Sequence, residues 1–316
     1  MGKTTYTYNN RGGDFCLVGC LALLSLLPSP IVAQTRPLIR QRDAVAGYYS
    51  PAALAPLGES QITGLAGGRD ERNSYYLLLA DRPLELFGGH YVVGGQLLHS
   101  TLELWEWTAL SLRVALPIQL SAHQRIQLGL EGAIHRLTFD GKRAQEEGIT
   151  DSDLPTGKSE GKSFNLGMGL QYYGSRLSAG LAVTDLLSRQ LLMGARYTIQ
   201  LHPRYTANVS YRVGSKATWS FVPAIWTSYS QAERWHTDLR GTLWYHDRIA
   251  FGGNCRWEEA YGVHTQLCWG AFSLGYQLER TYRPPHSYYH ELFLSYTLPS
   301  GHAKPTEPRY KSIRLL

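Results

Sequence analysis

The sequence predicts an all-β chain: an antiparallel transmembrane β-barrel of about 14 strands, with an N-terminal extended arm and a C-terminal basic tail. Three observations predict it. First, the run from Gln190 to Val213 alternates. Leu191, Met193, Ala195, Tyr197, Ile199 and Leu201 oppose Leu192, Gly194, Arg196, Thr198 and Gln200; after His202 and Pro203, Tyr205, Ala207, Val209, Tyr211 and Val213 oppose Arg204, Thr206, Asn208, Ser210 and Arg212. Period-two alternation marks strands whose two faces meet different surroundings. Each segment runs to about 10 residues, the length of a tilted bilayer-crossing strand, against about 5 or 6 in a soluble sandwich. Second, Tyr (21), Trp (8) and Gly (32) are abundant among 316 residues and 43% are hydrophobic, yet beyond residue 33 no apolar run is long enough for a transmembrane helix. Alternating lipid-facing and lumen-facing residues resolve that tension; a soluble all-β protein is the competing class. Third, Lys3 and Arg11 precede the apolar stretch from Phe15 to Leu27, followed by Ile31, Val32 and Ala33. That is the pattern of an export signal cleaved after Ala33.

Taken in order, residues 1–33 are the expected signal peptide. Leu17, Val18, Gly19 and Cys20 spell a lipoprotein box, but too few apolar residues precede Cys20 and the apolar run continues past it. Cleavage leaves Cys255 and Cys268, on consecutive strands but offset by roughly 13 Å at strand rise, too far for a disulfide. Two free thiols are expected. In residues 34–58, Pro37, Pro51 and Pro56 break any ladder, so this is an extended periplasmic arm with room for a helical turn.

The barrel is expected over residues 59–298, with strand-like segments near 60–68, 73–81, 89–98, 104–117, 124–139, 164–173, 176–185, 191–201, 204–213, 218–229, 234–245, 249–258, 261–269, 271–282 and 288–298. Those are fifteen, whereas single-chain bacterial barrels have an even number. The weakest is 60–68, and dropping it leaves fourteen. Residues 140–162 form the one long polar insertion, a functional or a disordered loop whose side is left open. Residues 299–316 are the basic tail, where Lys304, Arg309, Lys311 and Arg314 are candidate partner contacts.

Polarity divides the late strands consistently. Tyr205, Leu239, Leu243, Phe251, Trp257, Phe272, Leu274, Tyr276, Leu278, Leu292, Leu294 and Leu298 are assigned to lipid. Arg204, Arg212, Asp238, Arg240, Asn254, Arg256, Gln277, Glu279 and Glu291 are assigned to the lumen, and Asp238 should stand across from Arg256. Trp219, Trp235, Tyr245, Trp257, Trp269 and Tyr296 suit interfacial girdles. Charges of both signs inside imply a salt-bridged, occluded lumen more than an open pore.

The formal charge of +6 is spread along an exported chain, which argues against nucleic acid as a partner. His236, Asp238 and Arg240 share a face and raise the possibility of a membrane-embedded hydrolase, but same-face neighbours lie roughly 6.6 Å apart on a strand, beyond direct hydrogen bonding. His286 and His290 have the spacing that binds zinc on a helix, which a strand stretches to roughly 13 Å. No nucleophile-elbow, zinc-protease or phosphate-loop motif is present, so no enzyme activity and no cofactor are expected.

The block FNLGMGLQYYGSRLSAGLAVTDLL (164–187), the arm YYSPAALAP (48–56) and SYYHELFLSYTLPSG (287–301), with His290-Glu291 before alternating apolar residues, resemble the PorP/SprF family of type IX secretion and gliding systems. The arm departs from the family's pattern at Ser50 and Leu57. The resemblance implies an integral outer-membrane, non-enzymatic component of a protein-export machine. It also implies periplasmic ring components and large secreted surface proteins as partners. A small-solute diffusion porin and the embedded hydrolase are the alternatives.

Overall fold

The computed structural model describes residues 45–55, 59–86, 88–149, 155–187, 190–193, 197–232, 234–282 and 286–299. The expected signal peptide, the first part of the arm and tail residues 300–316, with Lys304, Arg309, Lys311 and Arg314, lie outside them. Among the described residues no helix is long and apolar enough to cross a membrane.

The barrel wall comprises β1 (Glu59–Asp70), β2 (Asn73–Leu86), β3 (Gly89–Leu102), β4 (Trp105–Ser121), β5 (Gln124–Asp140), β6 (Lys158–Tyr173), β7 (Leu177–Thr184), β10 (Arg204–Tyr211), β12 (Trp219–Ser230), β13 (Arg234–Tyr245), β14 (Ile249–Arg256), β15 (Ala260–Trp269), β16 (Phe272–Thr281) and β17 (Tyr288–Pro299). β11 (Val213–Gly214) prolongs β10 along the same neighbour. A short hairpin, β8 (Gln190–Met193) with β9 (Tyr197–Gln200), forms a separate sheet. Every pairing is antiparallel, and β17 pairs with β1 to close a cylinder of fourteen strands. Closure leaves no strand edge unpaired in hydrocarbon, the condition a bilayer imposes on any sheet.

Two expectations are corrected here. Residues 60–68 are not the surplus segment: they lie in β1, and the ladder from Glu59↔Pro299 to Gly68↔His290 is the seam that closes the barrel. The surplus segment is 191–201. β7 ends at Thr184 directly opposite Arg204, the first residue of β10, so the chain between them leaves and re-enters at one rim and cannot cross the membrane. It folds back as the β8–β9 hairpin, with Leu191, Met193 and Leu201 buried.

The rims differ. β1 begins and β17 ends at what we term the near rim, whose connections run to seven residues at most, whereas the far rim has short turns such as 71–72, 103–104 and 257–259 beside two long ones. The far rim carries the longer connections, 141–157 and 185–203. The polar insertion is shorter than expected, because β6 starts at Lys158. Its first part forms a helix, α2 (Gly141–Glu146), in which Asp140 accepts a hydrogen bond from the Arg143 backbone N–H; α1 (Ala46–Tyr49) belongs to the arm.

The exterior is apolar as expected: Leu112, Leu130, Leu181, Tyr205, Phe251, Leu274, Leu292 and Leu294 all face outward and exposed. Trp219, Trp235, Trp257 and Trp269 stand exposed at strand ends, and Trp269 is 81% accessible. Large exposed apolar side chains on every wall of a soluble protein would be untenable; on a bilayer they meet acyl chains.

Candidate functional site: the plugged lumen

The interior is filled by the chain's own N-terminal segment. Residues 45–55 run inside the cylinder, with Val45, Tyr49, Ser50, Ala52, Leu54 and Ala55 all at most 3% accessible. The expectation of a free periplasmic arm is corrected for these residues: Pro51 ends a short helical turn, and the barrel offers the ladder-less backbone its hydrogen bonds. Arg113 Nη1 donates to the Gly47 carbonyl at 2.5 Å, and the Thr206 hydroxyl donates to the Tyr49 carbonyl at 3.0 Å. The Tyr49 ring packs on Trp226 with centroids 5.8 Å apart.

The wall is built to receive this plug. Gly129, Gly169, Ala182, Thr206 and Ser228 stand side by side in register across β5, β6, β7, β10 and β12. A Cβ on Gly129 would collide with the Pro51 backbone, and one on Gly169 would come within 2.8 Å of Ser50 Oγ. This row of small inward residues is therefore a seat, where side chains are absent so that backbone can approach.

On the side of β1–β5 and β17 the far half of the lumen is apolar. Leu65, Tyr75, Leu77, Leu98, Trp107, Leu137, Phe139 and Phe293 point inward and pack with Val45, Tyr49 and the hairpin's Leu191 and Met193. A dry core suits a lumen filled by protein, since filling it with apolar side chains gains about 25 cal/mol per Å² buried. Toward the near rim a cavity of about 400 Å³ remains, lined in part by Gln61, Tyr173, Gln171, Ser178, Asn208 and Thr297.

The expected polar residues divide into groups. Asp238, Arg240, Arg256 and Glu279 join one chain of hydrogen bonds across β13–β16. Asp238 stands opposite Arg256 in register, and Arg256 reaches Asp238 at 3.4 Å and Glu279 at 3.0 Å. Asn254 donates to Glu279 at 3.0 Å, Gln277 to Asn254 at 3.1 Å, and Arg240 to Gln277 at 3.0 Å. Small residues on the intervening strand permit this: Gly262 lies between Asn254 and Glu279, and Ala260 between Arg256 and Thr281. Glu291 accepts from the Tyr75 hydroxyl over Gly67, whose missing side chain opens the path. Arg204 is elsewhere, lining a void of about 30 Å³ with Tyr49, Glu131, His135 and Asp185. Arg212 is outside the network: it bonds Asp247 and Ser220, each at 2.7 Å, at the near-rim turns.

Sequence reading missed two inward pairs, Arg113 with Asp81 at 3.3 Å and His135 with Asp185 at 3.0 Å. Arg113 and Asp81 were legible as polar breaks in the inward register of β4 and β2; nothing local predicts Asp185, which follows β7 in a left-handed conformation. His236 bonds Glu259 rather than Asp238. His290 Nδ1 meets the Tyr276 hydroxyl at 2.6 Å and His286 faces the Thr281 carbonyl, so the two histidines share no ligand position. No cluster of His, Cys, Asp or Glu able to hold a metal occurs among the described residues. Cys255 and Cys268 are free thiols.

A closed antiparallel cylinder with an apolar exterior and a protein-filled interior defines an integral outer-membrane β-barrel occluded by its own N-terminal segment. Residues 44–296 match the family described as type IX secretion system membrane protein PorP/SprF, and the chain belongs to that family. A search of curated proteins found no match. Among solved structures, the CymD monoaromatic hydrocarbon channel is similar at 11% identity, over 82% of this chain and 93% of that one, with a TM-score of 0.49. A Pseudomonas aeruginosa FadL homologue is similar at 9% identity over 85% and 96%, with a TM-score of 0.47. The Acinetobacter baumannii outer membrane protein Omp33 is similar at 8% identity over 76% and 97%, with a TM-score of 0.44.

Proposed function

We propose that this chain is a non-enzymatic accessory barrel of the type IX machinery, serving the secretion or surface attachment of large secreted proteins. The observation that carries the reading is the plug: a lumen closed by residues 45–55 and the β8–β9 hairpin suits a docking and anchoring component better than a conduit for small solutes. Family membership supports the machinery's periplasmic ring components as partners. Single-chain barrels place short turns in the periplasm and longer loops outside. By that rule the near rim, where both ends of the barrel wall lie, is periplasmic, and the 141–157 connection is extracellular. The basic tail, residues 300–316, follows β17 in the sequence and is the segment we assign to those periplasmic partners. The hydrolase alternative paired His236 with Asp238, whereas His236 bonds Glu259.

Two measurements test the reading. In planar bilayers the purified protein is expected to be silent; large, steady ohmic openings would establish a porin instead. Affinity purification from native membranes should recover periplasmic machinery components, and deletion of residues 300–316 should weaken that recovery while leaving insertion intact. Recovery of none, or recovery indifferent to the tail, sinks the partner assignment.

A further inference from the structure

The row of small residues that seats the plug has an outer side. Where Gly129, Gly169, Ala182 and Thr206 let the wall draw in over Tyr49–Ala52, the outer surface carries a groove of about 910 Å³. It is lined by Leu116, Leu130, Met168, Leu181, Val183 and Ala207, among others, and one strand thickness separates it from the plug. At the far-rim end Tyr205, Tyr229 and Trp235 form an aromatic edge, with ring centroids 6.5 and 5.0 Å apart in succession. Sites for small molecules measure roughly 300–1,000 Å³ and are mostly apolar, so the groove has the size and lining of a binding site. It is also continuous with the lipid-facing wall.

We infer that this groove holds an acyl chain of a bilayer lipid as a retained ligand, its headgroup at the Tyr205–Tyr229–Trp235 edge. Thr206 spends its hydroxyl on the Tyr49 carbonyl, and apart from the Thr227 hydroxyl and the phenols and Trp235 indole N–H at its ends the lining side chains are apolar, so an extended peptide segment would leave backbone N–H and C=O groups unsatisfied there, at several kcal/mol each. Hydrocarbon carries no such penalty. Tyr and Trp at the membrane–water boundary favour the position where chain meets headgroup. The occupant backs the thin wall on which the plug rests.

Native mass spectrometry of the full-length protein, extracted from membranes in mild detergent, tests this. The wild type should retain at least one lipid adduct. Ala207→Trp, which fills the groove, should lower the retained fraction about tenfold, whereas Ala80→Trp, an outward substitution on β2 away from the groove, should leave it unchanged. Leu181→Phe serves as the second filling variant if Ala207→Trp fails to insert. An unoccupied wild type, adducts of detergent only, equal loss in Ala80→Trp, or a second polypeptide in place of lipid would each overturn the proposal. A silent channel or a failed co-purification bears on the secretion reading alone and leaves this one standing.

Discussion

At the scale of single residues, contacts in the lumen depend on what is missing. Gly67 lies between Glu291 and Tyr75 in the register, and its hydrogen is what lets the phenol reach the carboxylate. A Cβ there would come within 2.7 Å of both Glu291 Cγ and Tyr75 Oη. Gly67→Ala should therefore break the bond and leave a buried carboxylate underbonded, costing about 1–3 kcal/mol, read as a lowered unfolding midpoint in detergent. The ion pairs divide by burial in the same way. Arg256 sits between Asp238 and Glu279, all three nearly inaccessible. Arg256→Ala takes the shared cation from two buried acids and should destabilise by about 3–5 kcal/mol. Arg212, at the rim with Asp247, is partly solvated, so Arg212→Ala should cost at most about 1 kcal/mol. Comparable losses at both sites would show that lumen burial does not govern these pairs.

At the scale of elements, plug and wall are complementary. Small inward residues on five neighbouring strands receive Tyr49–Ala52, while Arg113 and Thr206 hold the plug's carbonyls. Deleting residues 45–55 should leave the cylinder inserted, because every wall strand keeps its neighbours, yet should produce channel openings in planar bilayers where the intact protein is silent. Gly129→Val should do the same to a lesser degree by unseating Pro51. A plugless protein that stays silent would show that the hairpin and far-half core close the lumen unaided.

For the whole molecule, the two rims carry unlike connections, and sidedness can be tested directly. An epitope inserted at Gly148 should be labelled on intact cells, and one at Ser175 only after permeabilisation; the reverse pattern would invert the barrel and move its partner-facing ends outside. The wall strands other than β1, the Asp238–Arg256 opposition and the reach of β10–β17 were legible in the sequence, because alternation over a membrane-crossing length reports two unlike surroundings. The polarity of Arg240, Glu279 and Glu291 marked them as inward for the same reason.

What the chain alone determined is that repeated contrast between faces, and with it a barrel. Alternation cannot say which two surroundings are being contrasted: Leu191 and Met193 face a protein core, Leu292 and Leu294 face lipid, and both runs read alike. Only closure decided between them, since a cylinder must pair its first strand with its last. That requirement makes 59–70 a wall strand, returns 185–203 to its own rim and leaves space inside for residues 45–55. A polar residue's partner is likewise set by which strands end up adjacent, so Tyr75 meets Glu291 across 216 residues through a geometry no local pattern records.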